Sequence, residues 1–203
     1  MSVALHFNDT LAGRVFSQSV TPLGLALPIY TATALCASGI CGLPIWNPPN
    51  SNRQIELISL DVPWVSGTAG IGTIGLMGLP LLGIATGAPV TAFATTVPLN
   101  GFLGAGNTTK VSSSNGASAV TATAGTAGAP TALAPGWIRS LMSINLENST
   151  TTPEPTGLDT YIFNGTVCIP PGYMVYFACT VATVALFGST VIWKEIPINA
   201  AAG

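Results

Sequence analysis

The sequence predicts an all-β fold, a β-sandwich built of antiparallel strands. Twenty-three glycines and sixteen prolines divide the 203 residues into short segments, and many of these segments are rich in β-branched residues. A period of 3.6 residues, which would indicate amphipathic helices, is almost absent. Short β-branched runs separated by turn residues are typical of many short strands joined by surface loops.

Eight segments have the composition of strands. In chain order they are residues 28–35, 39–46, 54–65, 91–97, 137–146, 159–169, 172–186 and 189–198. In the third segment the alternation of apolar residues changes phase between Leu57 and Ile58, because the apolar positions run Ile55, Leu57, and then Ile58, Leu60. This change of phase predicts a β-bulge at that point.

The segments between the predicted strands are of two kinds. Residues 46–52, 112–135 and 148–156 are turn-rich, of low complexity or polar, and we expect them outside the core. Residues 67–87 are also rich in glycine but carry many leucines and isoleucines. Because such side chains are costly to leave in water, at about 25 cal/mol per Å², this segment should be buried in the fold or against another subunit.

The chain is expected to form one domain preceded by an arm. A mass of 20.5 kDa fits a single sandwich, since such folds often reach about 200 residues as one unit. Residues 1–27 have proline breaks and weak periodicity, which predicts an extended N-terminal arm that can reach a neighbouring molecule. The alternative is an edge strand folded back on its own domain. The β-sandwich domain would then cover residues 28–203.

Charge is scarce along the whole chain. Charged residues make up 6 % of the sequence, against about 25 % in an ordinary soluble domain, and the mean hydropathy is +0.58. Surface charge keeps protein molecules apart in solution, so this chain is predicted to be embedded in lipid or to cover much of its surface with other protein. The charged residues are Arg14, Arg53, Lys110, Arg139, Lys194, Asp9, Glu56, Asp61, Glu147, Glu154, Asp159 and Glu195.

Lipid and nucleic acid are the less favoured surroundings. Residues 174–193 are uncharged and long enough to cross a bilayer as a helix, but they are rich in β-branched residues and are interrupted at Gly188. We therefore expect strands there and no membrane span. The five basic residues are scattered, which predicts no direct binding of nucleic acid. The N-terminus lacks the pattern of a secretory signal, which predicts a product that stays in the cytoplasm where it is made.

No enzymatic chemistry is predicted, and no cofactor or metal site. The motif Gly-x-Gly-x-x-Gly occurs at residues 70–75, but Pro80 breaks any helix that would follow it, and no acidic residue is placed to hold a ribose. The single histidine, His6, lies close to Asp9 in the predicted arm, where a solvated side chain is the expected role. The carboxylates lie on separate strands or loops, without the spacing of a general acid and base or of a metal site.

The cysteines and the aromatic residues have structural interpretations. No Cys-x-x-Cys pair is present, so Cys36, Cys41, Cys168 and Cys179 are expected to be buried small residues or free thiols, with a disulfide as the alternative. Tryptophans at strand ends or inside apolar strands are expected to fill the core. A sugar-binding platform is the other interpretation of the aromatic residues. These are Trp46, Trp64, Trp137, Trp193, Tyr30, Tyr161, Tyr173 and Tyr176.

Several short motifs follow one another in an order that is typical of one group of proteins. They are residues 27–35 (Leu-Pro-Ile-Tyr-Thr-Ala-Thr-Ala-Leu), 43–48 (Leu-Pro-Ile-Trp-Asn-Pro), 65–67 (Val-Ser-Gly), 169–172 (Ile-Pro-Pro-Gly) and 193–198 (Trp-Lys-Glu-Ile-Pro-Ile). In this order the chain resembles small structural proteins of tailed-bacteriophage virions, chiefly head decoration (cement) proteins and short capsid-attached fibres. The resemblance spans most of residues 25–198. It implies a jelly-roll sandwich, commonly trimeric, that is seated on the capsid and has no catalytic residues.

The sequence thus favours a noncatalytic virion protein on the capsid surface. We expect a homotrimer with a jelly-roll-like fold, bound to the major capsid protein or to another virion protein as a decoration subunit. Shared burial of apolar surface would be its mechanism. The alternative is a tail or fibre protein that binds host glycans through residues such as Trp137 and Tyr161.

Overall fold

The structure is a computed structural model, and it describes most of the predicted strands. The described residues are 8–20, 23–30, 42–67, 71–80, 99–100, 109, 112–113, 136–146, 155–156, 160–181 and 185–198. Within these ranges the chain is almost entirely β, with one helical turn at residues 8–11. No helix in the same ranges is long and apolar enough to span a membrane. The all-β prediction is confirmed.

The strands alternate with turns at glycine, proline and asparagine. They are β1 (Val15–Ser19), β2 (Gly42–Asn47), β3 (Arg53–Asp61), β4 (Trp64–Ser66), β5 (Gly72–Pro80), β6 (Leu99–Asn100), β7 (Ser112–Ser113), β8 (Gly136–Leu146), β9 (Pro155–Thr156), β10 (Thr160–Ile162), β11 (Cys168–Ile169), β12 (Tyr173–Cys179), β13 (Leu186–Phe187) and β14 (Thr190–Pro197).

These strands form two large sheets and one small sheet. The first sheet has the order β10-β3-β14-β1-β6, with β11 also paired to β3, and the second has the order β7-β2-β12-β5-β8-β9. Strands β13 and β4 form the small sheet. All the ladders between these strands are antiparallel. The predicted antiparallel β-sandwich is therefore present.

The pairing of the main strands is nested. If β1, β2, β3, β5, β8, β10, β12 and β14 are taken in chain order, the first pairs with the last, β1 with β14. The second pairs with the seventh, β2 with β12, and the third with the sixth, β3 with β10. The innermost pair is β5 with β8. The chain therefore runs like one long hairpin whose paired arms are wound into two layers.

The core lies between the two large sheets. Ile55, Leu57 and Trp193 of the first sheet and Leu76 and Phe177 of the second belong to one cluster, and each is at most 1 % exposed. The ring of Trp193 stacks on that of Phe16, with the centroids 6.2 Å apart. Burial of apolar surface in this layer, worth about 25 cal/mol per Å², holds the two sheets together.

The predicted bulge in β3 is confirmed. Ser59 pairs with Ile192 and Leu57 pairs with Trp193, so Ile58 has no partner on β14. The extra residue restores the alternation, because Leu57 and Leu60 then both face the core and are at most 1 % exposed.

On the other side of β3, a turn interrupts the predicted strand 159–169. The turn contains Asn164 and Gly165, with φ of 50° and 74°, and it separates β10 from β11.

Two of the boundaries predicted from the sequence are wrong. Residues 15–19 are not part of an extended arm, because they form β1 between β14 and β6 and bury Phe16. The alternative, an edge strand folded back on its own domain, is correct in that this segment folds back on the domain, but β1 lies inside the sheet and not at its edge. Asn47 does not belong to a surface loop, since it lies at the end of β2 and is 0 % exposed, next to Trp46, which ends the predicted strand 39–46 and is buried as expected for a core tryptophan. The buried contacts of Asn47 are the physical reason, and they are described below.

The remaining expectations divide between described and undescribed residues. The burial predicted for residues 67–87 is confirmed in β5, where Ile74, Leu76 and Met77 are fully buried, whereas Ile71 is 68 % exposed. Residues 68–70 and 81–87 lie outside the described part. Residues 31–35 and the predicted strand 91–97 also lie outside it. Of the predicted loops 112–135 and 148–156, only the short strands β7 and β9 are described.

Candidate functional site

The outer face of the first sheet carries a cluster of four charged side chains. Nζ of Lys194 in β14 lies 2.8 Å from Oε2 of Glu56 in β3 and 3.6 Å from Oδ2 of Asp9. The other carboxylate oxygen of Asp9 lies 3.5 Å from Nε of Arg14. Because Asp9 belongs to the helical turn at residues 8–11, the cluster ties this turn to the sheet. Removing one partner would leave the others with uncompensated charge in a largely buried position.

The state of Lys194 identifies the cluster as structural. Burial lowers the pKa of Lys194, but the hydrogen bond and negative charge of Glu56, together with Asp9, outweigh it and raise the pKa above its ordinary value. A lysine nucleophile or general base must be deprotonated near neutral pH, and this amine is held in the protonated form. The cluster therefore anchors a segment of the fold.

One end of the sandwich presents an uncharged apolar surface. We call it the β4 surface, and it consists of Leu23, Pro63, Trp64 and Val65. Leu23, Trp64 and Val65 are 79 %, 37 % and 40 % exposed. Its parts are neighbours, since β4 pairs with β13 and Leu25 forms a bridge to Phe187 of β13. Exposed apolar residues on adjacent strands are typical of an interaction surface.

The opposite end of the sandwich has a cleft between the two sheets. Its volume is about 320 Å³, and its walls include Cys168 and Ile169 of β11, the preceding residue Val167, and Ile138, Tyr173 and Val175 of the second sheet. This volume lies at the lower end of the range for small-molecule sites, about 300–1,000 Å³. The cleft is therefore large enough to hold a small ligand.

A bulge in β8 places two side chains at the cleft. Trp137 pairs with Met77 and Arg139 pairs with Leu76, so Ile138 has no partner on β5 and is 51 % exposed. Arg139 donates a hydrogen bond of 2.8 Å from Nη1 to Oγ1 of Thr166, a residue of the opposite cleft wall. The guanidinium therefore lies at the edge of an apolar cavity.

The described part of the glycine motif, residues 71–75, leads into and forms the start of β5. Gly72 and Gly75 lie in β5, and Gly75 lies under the ring of Trp137, where a Cβ atom would be 2.0 Å from Cζ2. These glycines therefore have a packing role.

Gly70 and His6 lie outside the described residues. In the described part of the chain, no group of three or more His, Cys, Asp or Glu side chains is placed to hold a metal ion.

The cysteines and aromatic residues follow the structural interpretation in part. Cys168 is an exposed free thiol and Cys179 a buried one, while Cys36 and Cys41 lie outside the described residues. Trp193 fills the core as predicted, and Trp46 is also buried. Trp64 is exposed on the β4 surface.

The structure places the proposed sugar-contacting residues on different sheets. Trp137 lies in β8 of the second sheet and Tyr161 lies in β10 of the first. Tyr161 packs on Phe163 with the ring centroids 5.0 Å apart, and Trp137 packs edge-to-face on Tyr30 at 5.4 Å. The two aromatic pairs are therefore separate features.

Two buried acids make the fold sensitive to high pH. Burial raises the pKa of the Cys179 thiol from 9.0 to about 12, and burial together with Tyr30 raises the pKa of Tyr176 from 10.0 to about 12. Between these values the unfolded chain releases protons that the folded chain keeps. The stability from these groups is thus fully present below about pH 9 and is lost as the pH rises toward 12.

We expect Cys179→Ala to reduce this alkaline loss. A single thiol contributes about 1.4 kcal/mol per pH unit above its unfolded pKa, or about 2 kcal/mol at pH 10.5. Urea unfolding at pH 8.0, 9.5 and 10.5 measures the slope for the wild type and the variant. Cys168→Ala, at the exposed cysteine, is the matched control. Identical slopes for Cys179→Ala and the wild type would show that the thiol is not held protonated.

Comparisons with known proteins gave no match. No protein-family model, no curated protein and no solved structure matches the chain.

Proposed function

We propose that this protein is a noncatalytic structural subunit of a virion. It forms a homo-oligomer, a trimer in our proposal, and binds the major capsid protein or another virion protein at the capsid surface as a decoration or cement subunit. The observation that carries the assembly role is the β4 surface, which presents exposed apolar residues without a charge in a chain that is poor in charge throughout. The virion setting rests on the resemblance of the short motifs described above.

The nested strand pairing supports a jelly-roll fold for this subunit. A jelly roll contains eight strands in two sheets and is a recurrent fold of viral capsid proteins. When one long antiparallel hairpin is wound into two layers, its first strand pairs with its last, its second strand with the second-last, and so on inward. Fold alone does not assign function, so this pairing supports the architecture and leaves the assembly role to the surface.

The mechanism of such a subunit is burial. Leu23 and Trp64 are costly to leave in water, and every Å² of apolar surface covered by a partner contributes about 25 cal/mol. Obligate interfaces commonly bury about 2,000 Å² or more. A subunit that spans neighbouring capsomers through such contacts raises the free energy needed to separate them. No bond is made or broken, and stabilisation of the shell is the whole activity.

The oligomeric state tests the assembly role directly. By light scattering at micromolar concentration, we expect a multiple of the 20.5 kDa chain mass, and we expect Trp64→Ser combined with Leu23→Ser to shift it toward the monomer. Ile162→Ser is the matched control, because Ile162 is 54 % exposed and belongs to β10, which pairs with β3 and contributes no residue to the β4 surface. A wild-type protein that is monomeric at these concentrations would refute the proposal.

The virion setting has its own test. Quantitative mass spectrometry of purified virions gives the number of copies in each particle. Hundreds of copies would place the protein on the capsid, as we expect. A few to a few dozen copies would place it in a tail or at a vertex instead.

A glycan-binding tail or fibre protein is the second candidate. The observation in its favour is the edge-to-face pair of Trp137 and Tyr30, two half-buried aromatic rings of the kind on which sugar rings can stack. Binding of the purified protein to a glycan array, lost in Tyr30→Ala and kept in Tyr161→Ala, would support it. Absence of binding to every glycan on the array would argue against it.

A further inference from the structure

We propose that the cleft between the sheets binds a small carboxylate with an apolar body, such as a medium-chain fatty acid or an aryl carboxylate. The apolar body would lie between Ile138, Ile169 and Val175, and the carboxylate would contact Arg139. The cleft lies at the end of the sandwich opposite the β4 surface. This inference is therefore independent of the proposed assembly role, and either can fail without the other.

The walls of the cleft select an apolar group. Ile169 and Val175 are 1 % and 4 % exposed and form the inner wall, while Ile138 is 51 % exposed at the mouth. Water in such a cavity finds few hydrogen-bond partners on these walls, and a methylene chain that replaces it gains about 0.8 kcal/mol for each buried CH₂. A polar sugar would lose hydrogen bonds to water without regaining them here. The walls thus favour hydrocarbon.

The charge at the mouth selects an anion. Arg139 donates to Thr166 at 2.8 Å, which uses one of the five N–H donors of a guanidinium. Among the described residues, the ion pairs involve Asp9, Arg14, Glu56 and Lys194, and none involves Arg139. A guanidinium without a carboxylate partner binds a ligand carboxylate through two parallel hydrogen bonds. Together with the apolar walls, Arg139 therefore favours a ligand that has one negative charge and an apolar body.

Binding is best measured directly, because the thiol of Cys168 does not report from inside the cleft. Cys168 is one of the cleft residues, but it pairs with Glu56 while Ile169 pairs with Ile55. Its exposed thiol therefore lies on the outer face of β11, opposite to the side chain of Ile169. Isothermal titration calorimetry measures ligand binding without a reporter group.

Calorimetric titration of the protein with octanoate tests the proposal. We expect octanoate to bind saturably at pH 7, and we expect the neutral octanamide to bind at least about tenfold more weakly, since only the carboxylate gains the charge-assisted pair. Arg139→Gln should weaken octanoate by a similar factor and leave octanamide unchanged. Ile138→Ser should weaken both ligands.

Two results would overturn the proposal. One is the absence of octanoate binding at millimolar concentration, and the other is equal affinity for octanoate and octanamide in the wild type. Because this last comparison uses the unaltered protein, it decides the question even if Arg139→Gln does not fold. Acetate, which has the charge without the chain, should not bind at these concentrations, and binding of acetate as tight as that of octanoate would equally contradict an apolar site.

Discussion

Gly75→Ala is expected to lower the free energy of unfolding by about 3 kcal/mol, the upper part of the range for overpacking a core. A Cβ atom at this position would lie 2.0 Å from Cζ2 and 2.3 Å from Cη2 of Trp137, far inside van der Waals contact. The ring has little room to move away. Its Nε1 donates to Oγ of Ser140 at 3.2 Å, and its edge packs on Tyr30 at 5.4 Å.

A double-mutant cycle shows whether this contact is the cause. In a Trp137→Leu background the space above Gly75 is open, so Gly75→Ala should cost much less there than in the wild type. Gly136→Ala is the matched control, because a Cβ atom on this glycine of the neighbouring strand would meet nothing closer than 3.9 Å. Urea unfolding at neutral pH measures the free energy of unfolding of the wild type, the two single variants, the double variant and the Gly136→Ala control. Equal losses in the two backgrounds would disprove the steric explanation.

Asn47→Ala is the second substitution expected to have a large effect. Nδ2 of Asn47 donates to the carbonyl of Arg53 at 2.8 Å and to the carbonyl of Ile169 at 2.9 Å, and its Oδ1 accepts from the Ser51 hydroxyl at 2.5 Å. The side chain is fully buried, and it joins the end of β2 to the start of β3 and to β11. Alanine would leave two carbonyls without this donor, at about 1–3 kcal/mol each.

The chemistry of the side chain can be separated from its shape. Asn47→Asp keeps the size but replaces the NH₂ donor with an oxygen that would face two carbonyl oxygens, so it should destabilise at least as much as Asn47→Ala. Ser51→Ala removes one hydroxyl, which donates to Asn47 Oδ1 and to the carbonyl of Arg53 and accepts from the Arg53 N–H, and it should cost about 1–2 kcal/mol, less than Asn47→Ala. Thermal and urea unfolding at pH 7 measure these changes. An aspartate variant within about 0.5 kcal/mol of the wild type, the range of ordinary surface changes, would show that the hydrogen bonds are unimportant.

Local features of the fold could be predicted from the sequence because their causes are local. The phase change at Leu57 and Ile58 lies within one strand, and the bulge follows from the need to keep Leu57 and Leu60 on one face. Glycine and proline end strands by their own backbone preferences. The same reasoning failed for Asn47, since its neighbours Pro48 and Pro49 indicate a turn, whereas its side chain is held by a carbonyl 122 residues away.

The candidate sites could not be predicted because they depend on long-range contacts. Asp9 meets Lys194 across almost the entire chain, and no spacing in the sequence indicates that pair. The cleft depends on a bulge at Ile138 in one sheet and on the loop with Thr166 at the edge of the other. Arg139 appears in the sequence as one of five scattered cations, and only the folded arrangement places it at an apolar cavity.

The nested pairing also determines when this protein can fold. Val15 pairs with Lys194 and Ser19 with Thr190, so the first long strand of the chain must wait for the last. While the polypeptide grows on the ribosome, the edge of β1 that will pair with β14 stays unpaired until β14 has emerged. Pairing of strands so distant in sequence is slow, and all-β domains typically fold in about milliseconds to seconds. During that interval the apolar strands of a chain with little charge are open to other nascent chains, and their capture by chaperones would then govern the yield of native protein.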